Sequence, residues 1–440
     1  MAELLEIAQN ACQVARAAGA EFAAACATQS ESRSIELERG HVKRALRRER
    51  VWLDVVCYIG GALGSASATD LGAQSVRQVA EEAVALAKTA EPDPDFVSLP
   101  APESFPAVER LYDENIRGLG AEQLMGYLRQ ASEEAREVAP EAVVSGGCAV
   151  GFGQTALANT CGVAAVAQTT RIGVNVMVTV RRGDEAGVFY DWRAARVLED
   201  FKPEGLGRTA AEHAQRFLGA RDMPTGELPV VFGPLASGSL ISGLLGAANA
   251  ESVQRGRSFL AEMKGKRVAS EELTIVDEPL VAGGLASAPF DAEGVPHRTV
   301  TVVERGVLQT YLHRSYTANK AGEENTGHAA GLAAGIASTN ANPRLGKHTA
   351  EEIVRSVDEG LYLLAGGIRP NLATGDFSSA VDFGYKIERG ELAYPVRNTM
   401  LGGSFLEVTK AIEAISSDYR ADPGLVRPTI LVGKMLVAGR

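Results

Sequence analysis

A short stretch with five prolines divides the chain. Residues 92–106 read PDPDFVSLPAPESFP, with proline at positions 92, 94, 100, 102 and 106. Proline has a fixed φ and no backbone N–H, so neither a helix nor a central strand can cross this stretch, and we expect an extended linker. A weaker change of composition occurs at GARDMPTGELP, residues 219–229. The two stretches predict domains over 1–95, 105–222 and 225–440.

Each segment mixes helical and strand patterns. Residues 3–18 and 122–138 have helical spacing, whereas the valines at 174, 176, 178 and 180 alternate as in a half-buried strand. The third segment is richest in strands and glycine. We therefore predict an α+β, multi-domain fold in which N-terminal α/β layers precede a larger, strand-rich C-terminal domain.

The tripeptide Glu-Arg-Gly occurs at 38–40, 304–306 and 388–390, each time between strand-like runs. Glycine accepts the positive φ that a tight hairpin turn needs. We interpret the three copies as convergent turn chemistry and not as an internal repeat, because their surroundings share no period.

Composition narrows the class of protein. The net charge of −11 argues against broad binding to a phosphate backbone, so no nucleic-acid partner is expected. The five cysteines include no CxxC pair, which favours free thiols in a reducing compartment. The first residues lack a basic signal-peptide region, and no apolar run approaches the length of a membrane span. These features predict a cytoplasmic protein without a membrane partner.

Motifs that would identify a common catalytic site are missing. The sequence contains no GxSxG, no GxxxxGK[ST], no GxGxxG and no HExxH, and its six histidines are scattered. A zinc site from His313 and His328 would need ligands that the fold brings together. The basic run KRALRRER, Lys43–Arg50, resembles a nucleic-acid patch, but the net charge favours a solvated strand edge.

Three polar loops that contain glycine are the remaining candidates for a site. They are QRGRS (254–258), NTGHAAG (325–331) and NLATGDFS (371–378). Glycine permits close approach of a backbone, and loops of this kind often line a cleft, although well-made surface turns have the same composition. The candidate cleft residues are Arg255, Arg257, His328 and Asp376.

Long motifs in these loops and around them resemble the TldD/PmbA family, once called modulators of DNA gyrase. In the first segment they are SASATDL and QSVRQVAEEAVALAK. In the third they are SVQRGRSFL, the run from Leu273 to Leu312, and TGDFSSAVDFGYKIERGELAYPV. The resemblance covers nearly the whole chain.

The resemblance implies one of two kinds of subunit. TldD-type chains resemble zinc peptidases with HExxxH on a helix, in which the histidines bind metal and the glutamate is the base. PmbA-type (TldE) chains lack the motif and pair with a TldD-type chain. Aligning RGRSFL places the motif window at Ile241–Gly246, where Ile241, Ser242 and Gly246 replace the expected ligands and base. The late cysteine-glycine signature of TldD-type chains is also missing from ADPGLVRPTILVGKM.

These departures imply a non-catalytic PmbA/TldE-like subunit of a heterodimeric metalloprotease, with no catalytic, metal-binding or cofactor residue of its own. Zinc is expected in the TldD-type partner, which would hydrolyse peptides and unfolded proteins; the isolated chain could also form a homodimer. Spacing agrees with this placement, because apolar residues at 240, 241, 244, 245 and 248 predict a buried helix. Two alternatives stay open: a non-enzymatic regulator of gyrase or of a toxin–antitoxin component, and a hydrolase whose residues converge only in the fold.

Overall fold

The computed structural model describes residues 1–439. Ten α-helices are defined in this part of the chain, together with one 3-10 turn at Leu198–Asp200. The helices are α1 (Ala2–Ala17), α2 (Ala73–Thr89), α3 (Glu114–Gly118), α4 (Ala121–Val138), α5 (Leu206–Arg216), α6 (Pro234–Ala247), α7 (Ala250–Gln254), α8 (Ser315–Ala321), α9 (Ala350–Arg355) and α10 (Phe405–Lys410). No helix within residues 1–439 has both the length and the apolar character needed to cross a bilayer.

Strands make up the larger share of regular structure. They are β1 (Phe22–Glu38), β2 (His41–Ile59), β3 (Ala62–Ala68), β4 (Val143–Asn159), β5 (Ala164–Arg182), β6 (Glu185–Ala195), β7 (Gly226–Gly233), β8 (Ile275–Asp277), β9 (Val300–Glu304), β10 (Val307–Leu308), β11 (Ala341–Pro343), β12 (Glu359–Ala365), β13 (Asp376–Ala380), β14 (Phe383–Glu388), β15 (Glu391–Pro395), β16 (Met400–Ser404), β17 (Ile412–Asp422) and β18 (Leu425–Ala438). Helices and strands mixed in several sheets confirm the α+β, multi-domain prediction.

The first half of the chain builds one antiparallel sheet of six strands in the order β3-β2-β1-β4-β5-β6. The order is symmetric, because the sheet consists of two sets of three consecutive strands, β1–β3 and β4–β6. Each set is preceded directly by one helix and followed by another, α1 and α2 for the first set and α4 and α5 for the second. Helices α1, α2, α4 and α5 all pack on one face, where small and β-branched side chains alternate inward. Val174, Val176, Val178 and Val180 are each at most 2% exposed on that face, as predicted.

The two N-terminal segments of the predicted division each supply three strands to this sheet. The proline-rich stretch between them contains no helix or named strand, as expected, and runs past the sheet. The phenyl ring of Phe96 stacks on Tyr58 with a centroid distance of 3.7 Å, which holds the linker against β2.

Two further sheets form the C-terminal half. One has four strands in the order β10-β9-β8-β11, and the other has the path β13-β16-β18-β7-β12-β14-β15 with β17 paired to β18. Among the named strands within residues 1–439, only β7 and β12 pair in parallel. Helix α6 lies across the second sheet against β18 and β12, and its apolar side chains belong to the largest core cluster.

The three Glu-Arg-Gly tripeptides form turns between antiparallel strands, as predicted. Arginine and glycine both take positive φ in each copy: 51° and 80° at Arg39 and Gly40, 45° and 78° at Arg305 and Gly306, 54° and 76° at Arg389 and Gly390. Positive φ at both central residues is the geometry whose twist matches that of the strands it joins.

Candidate functional site

Helix α6 contains the window of the expected motif. Pro234 begins the helix directly after β7, at a position where the missing N–H costs nothing. Leu240, Ile241, Leu244 and Leu245 are at most 3% exposed and pack into the core between the C-terminal sheets. The prediction of a buried apolar helix is confirmed.

The window itself offers no side chain to a metal ion. Ile241 is buried, Ser242 is exposed and Gly246 is half-buried beside Leu372. Within residues 1–439, no group of three or more histidine, cysteine, aspartate or glutamate side chains is arranged to hold a metal ion. The residues present at this helix therefore do not fit a zinc site.

The QRGRS loop is attached to the C-terminal end of α6. Asn249 caps α7, and its side-chain oxygen accepts hydrogen bonds from the backbone N–H groups of Glu251 and Ser252. Ser258 donates a hydrogen bond of 2.5 Å to the carbonyl of Ala247, the last residue of α6. Arg255 pairs with Glu251 at 2.7 Å and is exposed, as is Arg257.

The NTGHAAG loop places His328 inside the domain. Its Nε2 lies 3.1 Å from a carboxylate oxygen of Asp277, and both side chains have no exposed area. An ionised carboxylate only accepts hydrogen bonds, so Nε2 carries the proton. Its Nδ1 lies 2.9 Å from the hydroxyl of Thr326. His328 thus faces a buried polar network and not solvent.

Asp277 is the centre of this network. Thr339 donates to it twice, from the backbone N–H at 2.8 Å and from the hydroxyl at 2.5 Å. Burial raises the pKa of Asp277, but the hydrogen bond and charge of His328 together with the two bonds from Thr339 outweigh it, so the net pKa lies below the usual value. Asp277 is therefore held as the carboxylate.

Burial also shifts the pKa values of two neighbouring side chains, His297 and Asp291. Burial and then the charge of His328 lower the pKa of His297 to about 4, against weaker opposing effects of Asp277 and the Gly327 backbone. Burial and then the charge of Glu293 raise the pKa of Asp291 to about 6, although three backbone N–H groups hydrogen-bond its oxygens.

The NLATGDFS loop touches the same end of α6 from another direction. The backbone N–H of Phe259 donates to the carbonyl of Leu372 at 2.8 Å, and Gly375 lies against the Phe259 ring. Asp376 is the first residue of β13 and is exposed.

The three candidate loops therefore meet around the C-terminal end of α6. Two hydrogen bonds link α7 and its cap to the segment that follows the NTGHAAG loop. Glu251 accepts one from the N–H of Gly335 at 3.3 Å, and Asn249 donates one to the carbonyl of Ile336 at 3.2 Å. Arg255, Arg257 and Asp376 lie on the surface of this region, whereas His328 lies beneath it. Their role as cleft residues stays a prediction.

The sequence analysis named none of Asp277, Thr339, Glu251 and Asn249 as site residues. Asp277 ends a short apolar strand, which is an unusual place for a carboxylate and is the one signal that pointed to it. Its partner His328 lies 51 positions away along the chain.

Models of one family match all three parts of the chain. The models describe PmbA/TldA metallopeptidase domain 1 at residues 23–87, the central domain at 114–218 and the C-terminal domain at 225–439. The chain belongs to the PmbA/TldD family. Its resemblance in SVQRGRSFL and the C-terminal motifs is thereby confirmed.

Relatives in this family match over most of their length. A metalloprotease PmbA homolog of Haemophilus influenzae is 28% identical over 398 residues, which is 88% of this chain and 85% of that protein. Metalloprotease PmbA of Escherichia coli O157:H7 is 26% identical over 425 residues, or 92% and 90% of the two chains. A metalloprotease TldD homolog of Buchnera aphidicola subsp. Schizaphis graminum is 31% identical, but over 215 residues, 47% and 44% of the two chains.

Solved structures share the fold throughout. TldE of Thermococcus kodakarensis superposes with a TM-score of 0.90 and 23% identity, and the match covers 98% of this chain and 100% of the other. A modulator of DNA gyrase from Bacteroides thetaiotaomicron superposes with a TM-score of 0.89 and 24% identity over 99% and 98% of the chains.

Proposed function

We propose that this chain is a non-catalytic PmbA/TldE-type subunit of a heterodimeric zinc metalloprotease that processes peptides and unfolded proteins. The observation that carries the proposal is the window on α6. Where the family's metal ligands would lie, the helix has a buried isoleucine, an exposed serine and a glycine. A TldD-type partner would supply the zinc, its ligands and the base.

The pattern of relatives supports the same assignment. The two PmbA relatives align over at least 85% of each chain, whereas the TldD homolog aligns over less than half of this chain. A cytoplasmic location is part of the proposal, because all five cysteines are free thiols, three of them buried.

The test is reconstitution with a TldD-type chain from the same genome. This chain alone should bind no stoichiometric zinc by metal analysis and cleave no unstructured peptide. The pair should elute as a one-to-one complex, and the complex should cleave the peptide. Substituting the HExxxH glutamate of the partner should abolish cleavage, whereas Ser242→Ala in this chain should not.

Two results would contradict the proposal. The first is zinc-dependent cleavage by this chain alone. The second is a pull-down from its own cells that recovers no TldD-type chain but enriches gyrase or a toxin–antitoxin component. That second result would favour the regulatory alternative.

A further inference from the structure

One face of the six-stranded sheet carries no helix. Since α1, α2, α4 and α5 all pack on the other face, side chains that point away from them reach solvent or the C-terminal half. At one end this helix-free face is covered, because Leu157 and Val56 pack with Phe290 and Leu332. It is also contacted on β6, where Arg420 of β17 donates to the carbonyl of Trp192. Between these two contacts part of the face is open.

The open part contains a depression of about 440 Å³. Ser32, Gly151 and Gly173 form its floor, so little side chain covers the backbone of β1, β4 and β5 there. Arg171 and Trp192 line its sides, and the guanidinium of Arg420 lies 5.2 Å from the centroid of the Trp192 ring.

Strand register places an arginine on each side of this floor. Directly opposed residues form one row across four strands: Arg48 on β2, Ser32 on β1, Gly151 on β4 and Arg171 on β5. Neighbouring strands lie about 4.8 Å apart, so the Cα atoms of the two arginines are separated by about 14 Å. Arg50 lies two positions along β2 and therefore points to the same face.

These arginines lack counter-charges. On the same strand, Lys43, Arg44 and Arg47 all pair with glutamates of the hairpin. Arg48, Arg50 and Arg171 are exposed, and none of the carboxylates within residues 1–439 forms an ion pair with them. Burial and then the charge of Arg171 lower the pKa of Arg196, whose guanidinium donates only to the carbonyls of Gly284 and Leu285. In a chain of net charge −11, the part of this face around Arg48, Arg50 and Arg171 is locally positive. Asp54, four positions beyond Arg50 on the same face, accepts hydrogen bonds from Trp52 and Ser67 and pairs with none of these arginines.

We propose that the helix-free face binds an extended, acidic polypeptide segment, with its backbone over the serine and glycine floor and its carboxylates paired with Arg48, Arg50 and Arg171. The inference deepens the proposed function and rests on it only for treating this segment as substrate. Acidic side chains four residues apart in an extended strand are about 13 Å apart, which matches the spacing of Arg48 and Arg171. A long nucleic acid fits less well, because the rest of the chain repels a polyanion.

Binding can be measured on the isolated full chain. The probe is a fluorescein-labelled, unstructured peptide of glycine and serine with glutamate at every fourth position, followed by fluorescence anisotropy in about 50 mM salt. The same peptide with glutamine should bind at least about tenfold more weakly, because each exposed pair contributes about threefold. Both tryptophans, Trp52 and Trp192, lie on the helix-free face, so in Trp52→Phe the emission of Trp192 should change on titration.

Two double variants separate this face from general electrostatics. R48Q/R171Q should weaken binding of the glutamate peptide by about tenfold. R47Q/R182Q removes the same charge from the same two strands but on the helix-bearing face, and should bind as the unaltered chain does. Circular dichroism confirms that each variant is folded.

Equal weakening by both double variants would overturn the proposal, as would equal binding of the glutamine peptide. It would also be overturned if a single-stranded oligonucleotide of the same charge bound more tightly, or if a TldD-type chain displaced the peptide competitively. Because no cleavage is measured, binding can succeed or fail independently of the protease assay.

Discussion

His297 supplies a pH dependence of stability that a single substitution should remove. Its side chain is buried at 7% exposure, and its Nδ1 has no hydrogen-bond partner within the described residues. The ring centroid of His328 lies 6.3 Å away. A charge on His297 would be both poorly solvated and repelled, which is why the pKa falls from 6.5 to about 4.

The sign and size of the effect follow from proton linkage. The unfolded chain binds a proton at His297 below about pH 6.5, whereas the folded chain does not until about pH 4. Stability is therefore lost as the pH falls from 6.5 towards 4, at about 1.4 kcal/mol per pH unit. Between pH 7.5 and pH 5.0 this residue alone should cost about 2 kcal/mol.

Asp291 acts in the opposite direction over part of the same range. Its pKa is raised from 3.8 to about 6, so the folded chain binds the extra proton and gains stability as the pH falls from 6 to 3.8. By pH 5.0 this gain is about 1.4 kcal/mol. The unaltered chain therefore shows only a small net change from the two groups, which conceals the contribution of His297.

The His297→Gln variant should reveal the contribution of His297 to the pH dependence of stability. Urea unfolding followed by circular dichroism at pH 7.5 and 5.0 should show that lowering the pH costs the variant about 2 kcal/mol less than it costs the unaltered chain. His41→Gln, on an exposed hairpin, is the control and should behave as the unaltered chain does. Identical pH dependence of His297→Gln and the unaltered chain would refute the reasoning. An NMR titration of the ring, assigned with the variant, measures the pKa directly.

Three further substitutions test packing and the buried network by urea unfolding. Gly243→Ala puts a methyl group into the ring of Phe405 and should lower the free energy of unfolding by about 1–3 kcal/mol. Gly246→Ala on the same helix, where the new methyl group would lie 3.5 Å from Leu372, should be neutral or stabilise by up to about 1 kcal/mol. Equal effects of the two substitutions would contradict the packing of α6. Asp277→Ala leaves buried His328 unpaired and should cost about 3 kcal/mol or more, while exposed Asp376→Ala should stay within about 0.5 kcal/mol. Arg420→Met removes the 2.6 Å pair with buried Asp191 that joins β17 to β6 and should cost about 3 kcal/mol; a cost below about 1 kcal/mol would show that Arg193 suffices.

The local sequence pattern was enough to predict a helix or strand where one side of the element is buried and the other is not. The valines of β5 and the apolar residues of α6 repeat at the period of their element, and each Glu-Arg-Gly has the backbone that its turn requires. The length of β1 could not be predicted from its sequence pattern. Much of its 17-residue length is alanine and serine, which have little preference for strands, and only pairing with β2 and β4 extends it.

The candidate site was predictable only in its parts. The three loops were recognisable as polar and glycine-containing, but their meeting at the end of α6 depends on hydrogen bonds between distant segments, such as Phe259 to Leu372. Exposure was not predictable either, because histidine is found both on surfaces and in cores. His328 is buried because Asp277 and Thr326 are hydrogen-bond partners for its two ring nitrogens there, and Asp277 lies 51 positions away along the chain.

The structure of α6 also indicates why the family's motif would be difficult to restore in this chain. At 3.6 residues per turn, positions 241 and 246 point about 140° apart around the helix axis. Ile241 faces the core at 3% exposure, whereas Gly246 faces Leu372 near the surface. Histidine at 241 would replace well-packed aliphatic atoms with a ring whose nitrogens have no partner among the surrounding apolar residues. The lack of metal ligands is thus built into the packing around the helix and is not confined to three side chains.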